Sequence, residues 1–389
     1  MSKDKQSNNF IPFNKPYLSG NEIKYISDGI FVGDISGNGK FTKLCHSFFE
    51  NKYNFKKCLL TNSCTSALEM AAILLDIKPG DEVIMPSYTF VSTPNAFVLR
   101  GAKIIFCDSK KEHPSIDEDL IEGLINNNTK AIVPVHYAGF SCDMEKIMSI
   151  AIKHDLFVVE DAAQAIDNNY ISNDGVLKPV GGIGHLSSFS FHESKNIISG
   201  EGGMLVINDE RFINRAEIIW EKGTDRAAFW RGEVDKYLWR DIGSSFLPSE
   251  LVAAFLYSQL ENLDLIQKKR KVIWSNYLES FHVIRDKVKL PSVPKHSLNN
   301  AHMFFLICKD SDQCFQLNKF LKNQNIYSAF HYHSLHSSPY YLDKHDGRNL
   351  INCDKYSECL IRLPIFYELN KNDQQKIIDS VIYFFTQNQ

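Results

Sequence analysis

Four short segments carry residues able to do chemistry. In Leu156-Phe-Val-Val-Glu-Asp161 an apolar run ends on a carboxylate. If the run is a strand of an open α/β sheet, Asp161 stands at the edge where ligands bind. An acid there can hold a cationic ring nitrogen, and burial strengthens the pairing. The same position also suits a helix N-cap, since Ala162-Ala163-Gln164-Ala165 can start a helix. Ser187-Ser-Phe-Ser-Phe191 runs into His192-Glu-Ser-Lys195-Asn196 and the turn Gly200-Glu-Gly-Gly203. Lys195 is either an ordinary loop lysine or, with a lowered pKa, a nucleophilic amine for an aldehyde or ketone.

Thr61-Asn-Ser-Cys-Thr65-Ser66 leads from a strand into a helix. Its hydroxyls cap that helix or, with the free amides, bind a phosphate. Pro86-Ser-Tyr88-Thr-Phe90 follows another strand and offers an aromatic face to the core or to a planar ring. Taken together and in chain order, these segments describe a pocket for pyridoxal 5′-phosphate (PLP). Other patterns lead elsewhere. GEGG lacks the GxxxxGK[ST] of a phosphate-cradling loop, no GxGxxG supports a nicotinamide-linked oxidoreductase, and Gly37-Asn-Gly39 reads as a turn. His331, His333 and His336 have no Cys or carboxylate at a familiar metal-partner spacing, so we assign no metal.

The elements that must position these residues are short apolar runs alternating with helical patterns from about residue 55. The runs are 58–62, 81–86, 102–108, 130–137, 156–163, 185–191 and 202–209, with amphipathic segments such as SALEMAAILLDI and DMEKIMSIAIKHD between them. This alternation predicts a largely parallel sheet covered on both faces, an α/β fold. One long helical pattern from Pro248 to Ser280 predicts a helix linking two domains, and AHMFFLICK with the later helices predicts a smaller C-terminal α+β domain. The expected division is an N-terminal arm (1–39), a large PLP-binding domain (40–262) and a small domain (263–389). The KKRK run at 268–271 reads as a solvated helix face.

The chain has 389 residues, 44% hydrophobic and 23% charged, with a formal net charge of −3. That composition belongs to a globular enzyme and argues against nucleic-acid or anionic-membrane partners. No apolar run is long enough to span a bilayer, and the start, MSKDKQSNN, is polar; residues 1–10 read as a loose tail. Nine cysteines without CxxC pairs predict free thiols in a reducing cytoplasm.

PSYTFVSTPNA, VVEDAAQAI, SFSFHESKN and GEGGML, in that order, resemble the DegT/DnrJ/EryC1/StrS family of nucleotide-sugar aminotransferases. The stretches FWRGEVDKYLWRDIGSSFLPSELVAA and AFHYHSLHSSP are similar to its TDP-4-amino-4,6-dideoxygalactose transaminase branch. The resemblance implies the PLP-dependent transferase fold type I. It also implies amination of TDP-4-keto-6-deoxyglucose at C4 by L-glutamate, for O-antigen or a related surface polysaccharide. By motif position, Lys195 is the implied Schiff-base lysine and Asp161 the partner of the ring nitrogen. Gln164 is placed near the ring hydroxyl, Phe90 on the ring, and Cys64, Thr65 and Ser190 at the phosphate. Tyr88, His192, Arg231, Tyr237 and His331 are the implied substrate contacts.

A homodimer with shared sites is implied too, the loop Phe229–Leu247 completing the partner's pocket. Many relatives have GYNYR where this chain has Gly243-Ser244-Ser245-Phe246-Leu247, so Ser245 replaces an asparagine that reaches the neighbouring subunit's phosphate. Two alternatives stay within the fold: a 3-amino sugar aminotransferase, and a sugar dehydratase or deoxygenase, which has histidine where Lys195 stands. The galacto or gluco configuration of the product is left open.

Overall fold

A computed structural model describes residues 10–33 and 35–387; most of the expected N-terminal tail lies outside them. The strands are β1 (Lys57–Thr61), β2 (Glu82–Pro86), β3 (Lys103–Cys107), β4 (Thr129–Ile132), β5 (Phe157–Asp161), β6 (Asn169–Ile171), β7 (Leu177–Pro179), β8 (Leu186–Ser190), β9 (Gly203–Ile207), β10 (Phe304–Ile307), β11 (Ala329–Phe330) and β12 (Leu360–Leu363). Seven of them form one sheet in the order β1-β9-β8-β5-β4-β2-β3. Pairs β2/β3, β2/β4, β4/β5 and β5/β8 are parallel, and β9 runs antiparallel to both β8 and β1. The C-terminal ends of β1, β2, β4, β5 and β8 therefore share one edge of the sheet.

Both faces of this sheet are covered, which explains the unbroken apolar runs. Leu59, Val83, Met85, Val159 and Leu205 pack on one side, and Cys58, Leu60, Ile84, Val158 and Val206 on the other. That is the period-two alternation of a strand buried on both faces. The first side is covered by α3 (Cys64–Leu74), and its apolar core continues into a three-stranded sheet of order β10-β12-β11. The second is covered by α2 (Lys40–Tyr53), α6 (Met144–Lys153) and α9 (Glu250–Leu260). In α6 the buried residues Met144, Ile147, Ile150 and Ala151 follow helical spacing, and Asp143 caps the helix by accepting from the Lys146 amide at 3.1 Å.

The remaining α-helices among the described residues are α1 (Glu22–Val32), α4 (Ser92–Val98), α5 (Glu118–Ile121), α7 (Ile213–Trp220), α8 (Arg226–Trp230), α10 (Leu263–Ser280), α11 (Ser311–Asn323), α12 (Ile351–Cys359) and α13 (Lys371–Gln387). The N-terminal segment is fastened rather than loose from Ile11 on: its amide donates to Asn325 O at 2.8 Å and its carbonyl accepts from Tyr327 at 3.0 Å.

Two expectations are corrected. The single long helix from Pro248 is two helices, α9 and α10, broken at Glu261–Asn262. There the Asn262 amide reaches back only three residues, to Gln259 O at 3.0 Å, and its side chain donates to Ser258 O at 3.1 Å. A short polar side chain that bonds its own backbone competes with helix continuation. The KKRK face is not wholly solvated either. Arg270 is buried and donates to the carbonyls of Ala301 (3.1 Å) and His302 (2.6 Å).

Glu250, at the first turn of α9, is buried and caps α2. Its carboxylate accepts from the amides of Gly39 (2.9 Å), Phe41 (2.7 Å) and Thr42 (3.1 Å), and from the Thr42 hydroxyl. Glu250→Ala strands four buried donors and should cost about 3 kcal/mol. Glu250→Gln, which keeps one carbonyl acceptor, should cost less. Denaturant unfolding checks both: the midpoints should fall in the order wild type, Gln, Ala.

Candidate active site

The shared edge of the large sheet opens into a cavity of about 820 Å³. Asp161 is the last residue of β5 and is buried, with a carboxylate fixed from two directions. The Thr93 hydroxyl donates to Oδ2 at 2.7 Å and the Ala163 amide to Oδ1 at 3.1 Å. Turns rather than a helix follow it, so the N-cap alternative does not hold. Among the described residues no cation pairs with this carboxylate.

Lys195 comes from the turn that leaves β8. The turn is closed by Glu193 N to Gly200 O (2.9 Å) and Ser199 N to Phe191 O (2.7 Å). The neighbouring Asn196 side chain donates through Nδ2 to Gln267 Oε1 (2.8 Å) and Asn300 O (2.9 Å), pinning the turn to α10 and to the approach to β10. Burial pulls the Lys195 pKa down and Arg362 adds to this, while Asp161 opposes it. A buried amine with a lowered pKa has more of the neutral, nucleophilic form.

At the third corner, α3 begins beside β9. Ser63 caps it by accepting from the Ser66 amide at 3.1 Å, and the Thr65 hydroxyl donates to Ser92 Oγ at 2.7 Å. Gly203 makes this approach possible, since a Cβ there would lie 2.3 Å from the Cys64 amide nitrogen. Burial pushes the Cys64 thiol up to about 12, so it stays neutral. Gln164 is held between the Ala138 amide (2.7 Å) and the Tyr332 hydroxyl (3.0 Å).

Cys64, Thr65, Phe90, Asp161, Gln164, Ser190, His192, Lys195 and His331 all line this cavity. Tyr88 does not, which corrects its reading as a substrate contact. It is fully buried under the site, donating to His331 O at 2.6 Å, and so supports the segment that carries His331. Arg231 faces a separate cavity of about 500 Å³ and pairs with Glu217 (2.9 Å) and Glu233 (2.7 Å). Tyr237 is half exposed beside Phe229, and Ser245 is exposed, its carbonyl accepting from the Asn62 side chain at 3.3 Å.

The three histidines of HYHSLH go to different surroundings. His331 Nδ1 meets the Tyr137 hydroxyl at 2.9 Å, His333 lies against Phe330, and His336 Nδ1 meets Ser87 Oγ at 2.8 Å. Among the described residues no three His, Cys, Asp or Glu side chains group as metal ligands.

Sequence reasoning missed Thr93, Tyr332 and Arg362 as cavity residues. Thr93 was visible inside PSYTFVSTPNA. Tyr332 has a left-handed backbone (φ 48°) and its ring stacks on His331, a conformation no motif announces. Arg362 is a charge within the apolar strand LIRL, and that break in the pattern was its one available signal.

This donor set fits PLP. The helix start with its hydroxyls suits a phosphate, the unpaired buried carboxylate suits a protonated ring nitrogen, and the amine suits an aldehyde.

Comparisons with known proteins agree. The chain is 32% identical to MJ1066 of Methanocaldococcus jannaschii, over 97% of this chain and 98% of that protein. It is 30% identical to the spore coat polysaccharide biosynthesis protein SpsC of Bacillus subtilis, over 96% and 97%. The fold matches the PMP form of Spr1654 from Streptococcus pneumoniae, also solved with PLP, at a TM-score of 0.87 and 24% identity, covering 97% of this chain and 98% of that one. The DegT/DnrJ/EryC1/StrS aminotransferase family model matches residues 18–382. The chain therefore belongs to the DegT/DnrJ/EryC1/StrS aminotransferase family, whose cofactor is PLP.

Proposed function

We propose that this aminotransferase acts on a nucleotide sugar, converting TDP-4-keto-6-deoxyglucose to a TDP-4-amino-4,6-dideoxyhexose with L-glutamate as donor. We place it in the cytoplasm, as a homodimer, in O-antigen or related surface-polysaccharide synthesis. The observation that carries the reading is the convergence of Lys195, Asp161 and the start of α3 on one cavity. The choice of sugar is supported by the resemblance of residues 229–254 and 329–339 to the TDP-4-amino-4,6-dideoxygalactose transaminase branch.

When bound, PLP supplies an electron sink for the pair released as the donor's Cα–H bond breaks. Asp161 keeps the ring nitrogen protonated. Its oxygens are already oriented by Thr93 and Ala163, so no reorganisation is needed during the reaction. The hydroxyls of Thr65 and Ser190, with the first amides of α3, hold the phosphate. Lys195 Nζ takes the Cα proton from the donor and serves again, in the reverse sense, when the 4-keto sugar is aminated.

Two readouts test this reading. NMR of the product after incubation with TDP-4-keto-6-deoxyglucose, PLP and L-glutamate should show an amine at C4 and define its configuration; an unchanged keto sugar contradicts the proposal. Borohydride reduction of the PLP-loaded protein should fix the cofactor on Lys195, and peptide mapping to any other lysine would remove Lys195 from its role.

Asp161→Ala and Asp161→Asn should each lower turnover by orders of magnitude, because neither replacement carries the charge. Thr93→Val removes one bond to a charged acceptor, so roughly 10- to 100-fold is expected. Steady-state kinetics on PLP-saturated variants check the ranking; an Asp161→Asn enzyme within a few-fold of wild type would make this aspartate structural.

Trp230 and Trp239 are 66% and 83% exposed on the loop assigned to the dimer contact, and large exposed aromatics are what interfaces cover. Mixing Lys195→Ala with an inactive, folded, PLP-binding variant of the 229–247 loop should restore part of the activity through hybrid dimers. No recovery despite proven subunit exchange would mean that each site is built from one chain.

A further inference from the structure

One wall of the cavity is the segment 331–338, which supplies His331, Tyr332, His333, Leu335 and Ser338. It contains no strand and one short turn of 3₁₀ helix, Leu335–Ser337, so bonds from other elements must hold it. Those bonds come from Ser87, the first residue past β2. Ser87 is fully buried, and its carbonyl accepts from the Leu335 amide at 3.0 Å. Its hydroxyl oxygen accepts from the His336 amide at 3.1 Å and lies 2.8 Å from His336 Nδ1. Ser87 also opens the stretch that brings Thr89, Phe90 and Thr93 to the cavity, so this contact joins two of its walls.

The Ser87 hydroxyl has one proton and, among the described residues, no other acceptor. That proton therefore goes to Nδ1. His336 is then a neutral ring with its own proton on Nε2, facing Asp354 Oδ1 of α12 at 3.5 Å. The other titratable groups turned toward it are His345, with ring centroids 5.0 Å apart, Asp346 in the same loop, and Asp108 past β3. Burial lowers the His336 pKa, His345 adds to this, and the three aspartates oppose it. A protonated ring would carry N–H on both nitrogens and strand the Ser87 proton in a site closed to water.

We propose that His336 is a positioning residue for this enzyme. Its neutral Nδ1, by accepting from Ser87, latches the 331–338 wall to the end of β2. Protonation of the ring releases that wall, which carries His331, and weakens binding of the keto sugar. Only the choice of the sugar rests on the transaminase reading.

Hydrogen exchange on the PLP-loaded protein reads the latch through the Leu335 and His336 amides, which both end on Ser87. Their protection should fall roughly tenfold in Ser87→Ala and in His336→Leu, since each removes a buried hydrogen bond. His336→Asn offers Oδ1 in place of Nδ1 and does not titrate, so it should stay within about threefold of wild type. Between about pH 7.5 and about pH 5, protection corrected for intrinsic exchange should fall in the wild type and hold in His336→Asn. Steady-state kinetics should follow: KM for the keto sugar rises about tenfold in Ser87→Ala and His336→Leu, with kcat little changed. The rise of wild-type KM in acid should be absent from His336→Asn. Unchanged protection in both Ser87→Ala and His336→Leu overturns the proposal. Equal losses in His336→Asn and His336→Leu also overturn it, by making the ring's shape the requirement, and so does an acid response retained in His336→Asn. If His336→Leu does not fold, Ser87→Ala and His336→Asn carry the same comparison. A protein that does not aminate the keto sugar removes the substrate reading, while the exchange results still decide the latch.

Discussion

A carboxylate buried without a counter-ion at the end of an interior strand is the constraint around which this molecule is arranged. β5 carries two acids side by side, and the pleat sends them to opposite faces. Glu160 is satisfied by the protein: it accepts from the amides of Gly181 (2.9 Å), Ile183 (2.8 Å) and Gly184 (2.5 Å), and bonds the His136 ring at 2.9 Å. Burial alone would raise its pKa, but the His136 ring and the amides outweigh that and pull it down. Asp161 has two donors and, among the described residues, no ion-pair partner. The first acid anchors the fold, and the second faces the cavity.

Holding such a charge in place requires a rigid surround, and the architecture provides one. The parallel order of the large sheet brings the ends of β1, β2, β5 and β8 to one edge, where strand-end residues distant in sequence converge. Lys195 is fixed from behind through Asn196, whose Oδ1 also accepts from His302 Nδ1 (2.8 Å), tying the lysine turn to the approach to the second sheet. Asn300 donates from there to the carbonyls of Gln164 (2.8 Å) and Ile166 (2.9 Å). The turn of Lys195, the segment of Gln164 and the small sheet are thus one hydrogen-bonded unit. The apolar core shared by both sheets backs that unit.

The parts of this arrangement legible in the sequence were those set by local pattern. Strands buried on both faces read as continuous apolar runs, and Asp161 and Lys195 follow directly from where two of those runs stop. The N-cap at Ser63 and the helix after it needed only hydroxyls ahead of an Ala-rich run. What escaped was set by contacts between distant segments. Arg270 sits in a basic run, yet carbonyls some thirty residues later draw it inward. Tyr88 was expected at the ligand, but Tyr137, Tyr332 and Tyr356 pack around it, and its hydroxyl serves a backbone carbonyl 243 residues on. Arg362 reaches the cavity from the other sheet, a placement no spacing in the chain encodes.

The central claim is electrostatic: the charge of Asp161 keeps the cofactor's ring nitrogen protonated. It is tested most directly by ¹⁵N NMR of PLP labelled at that nitrogen, bound to the wild-type protein and to Asp161→Asn. The account predicts a pyridinium shift in the wild type across neutral pH and a neutral-pyridine shift in the variant. A protonated ring in both, or a neutral ring in both, would contradict it.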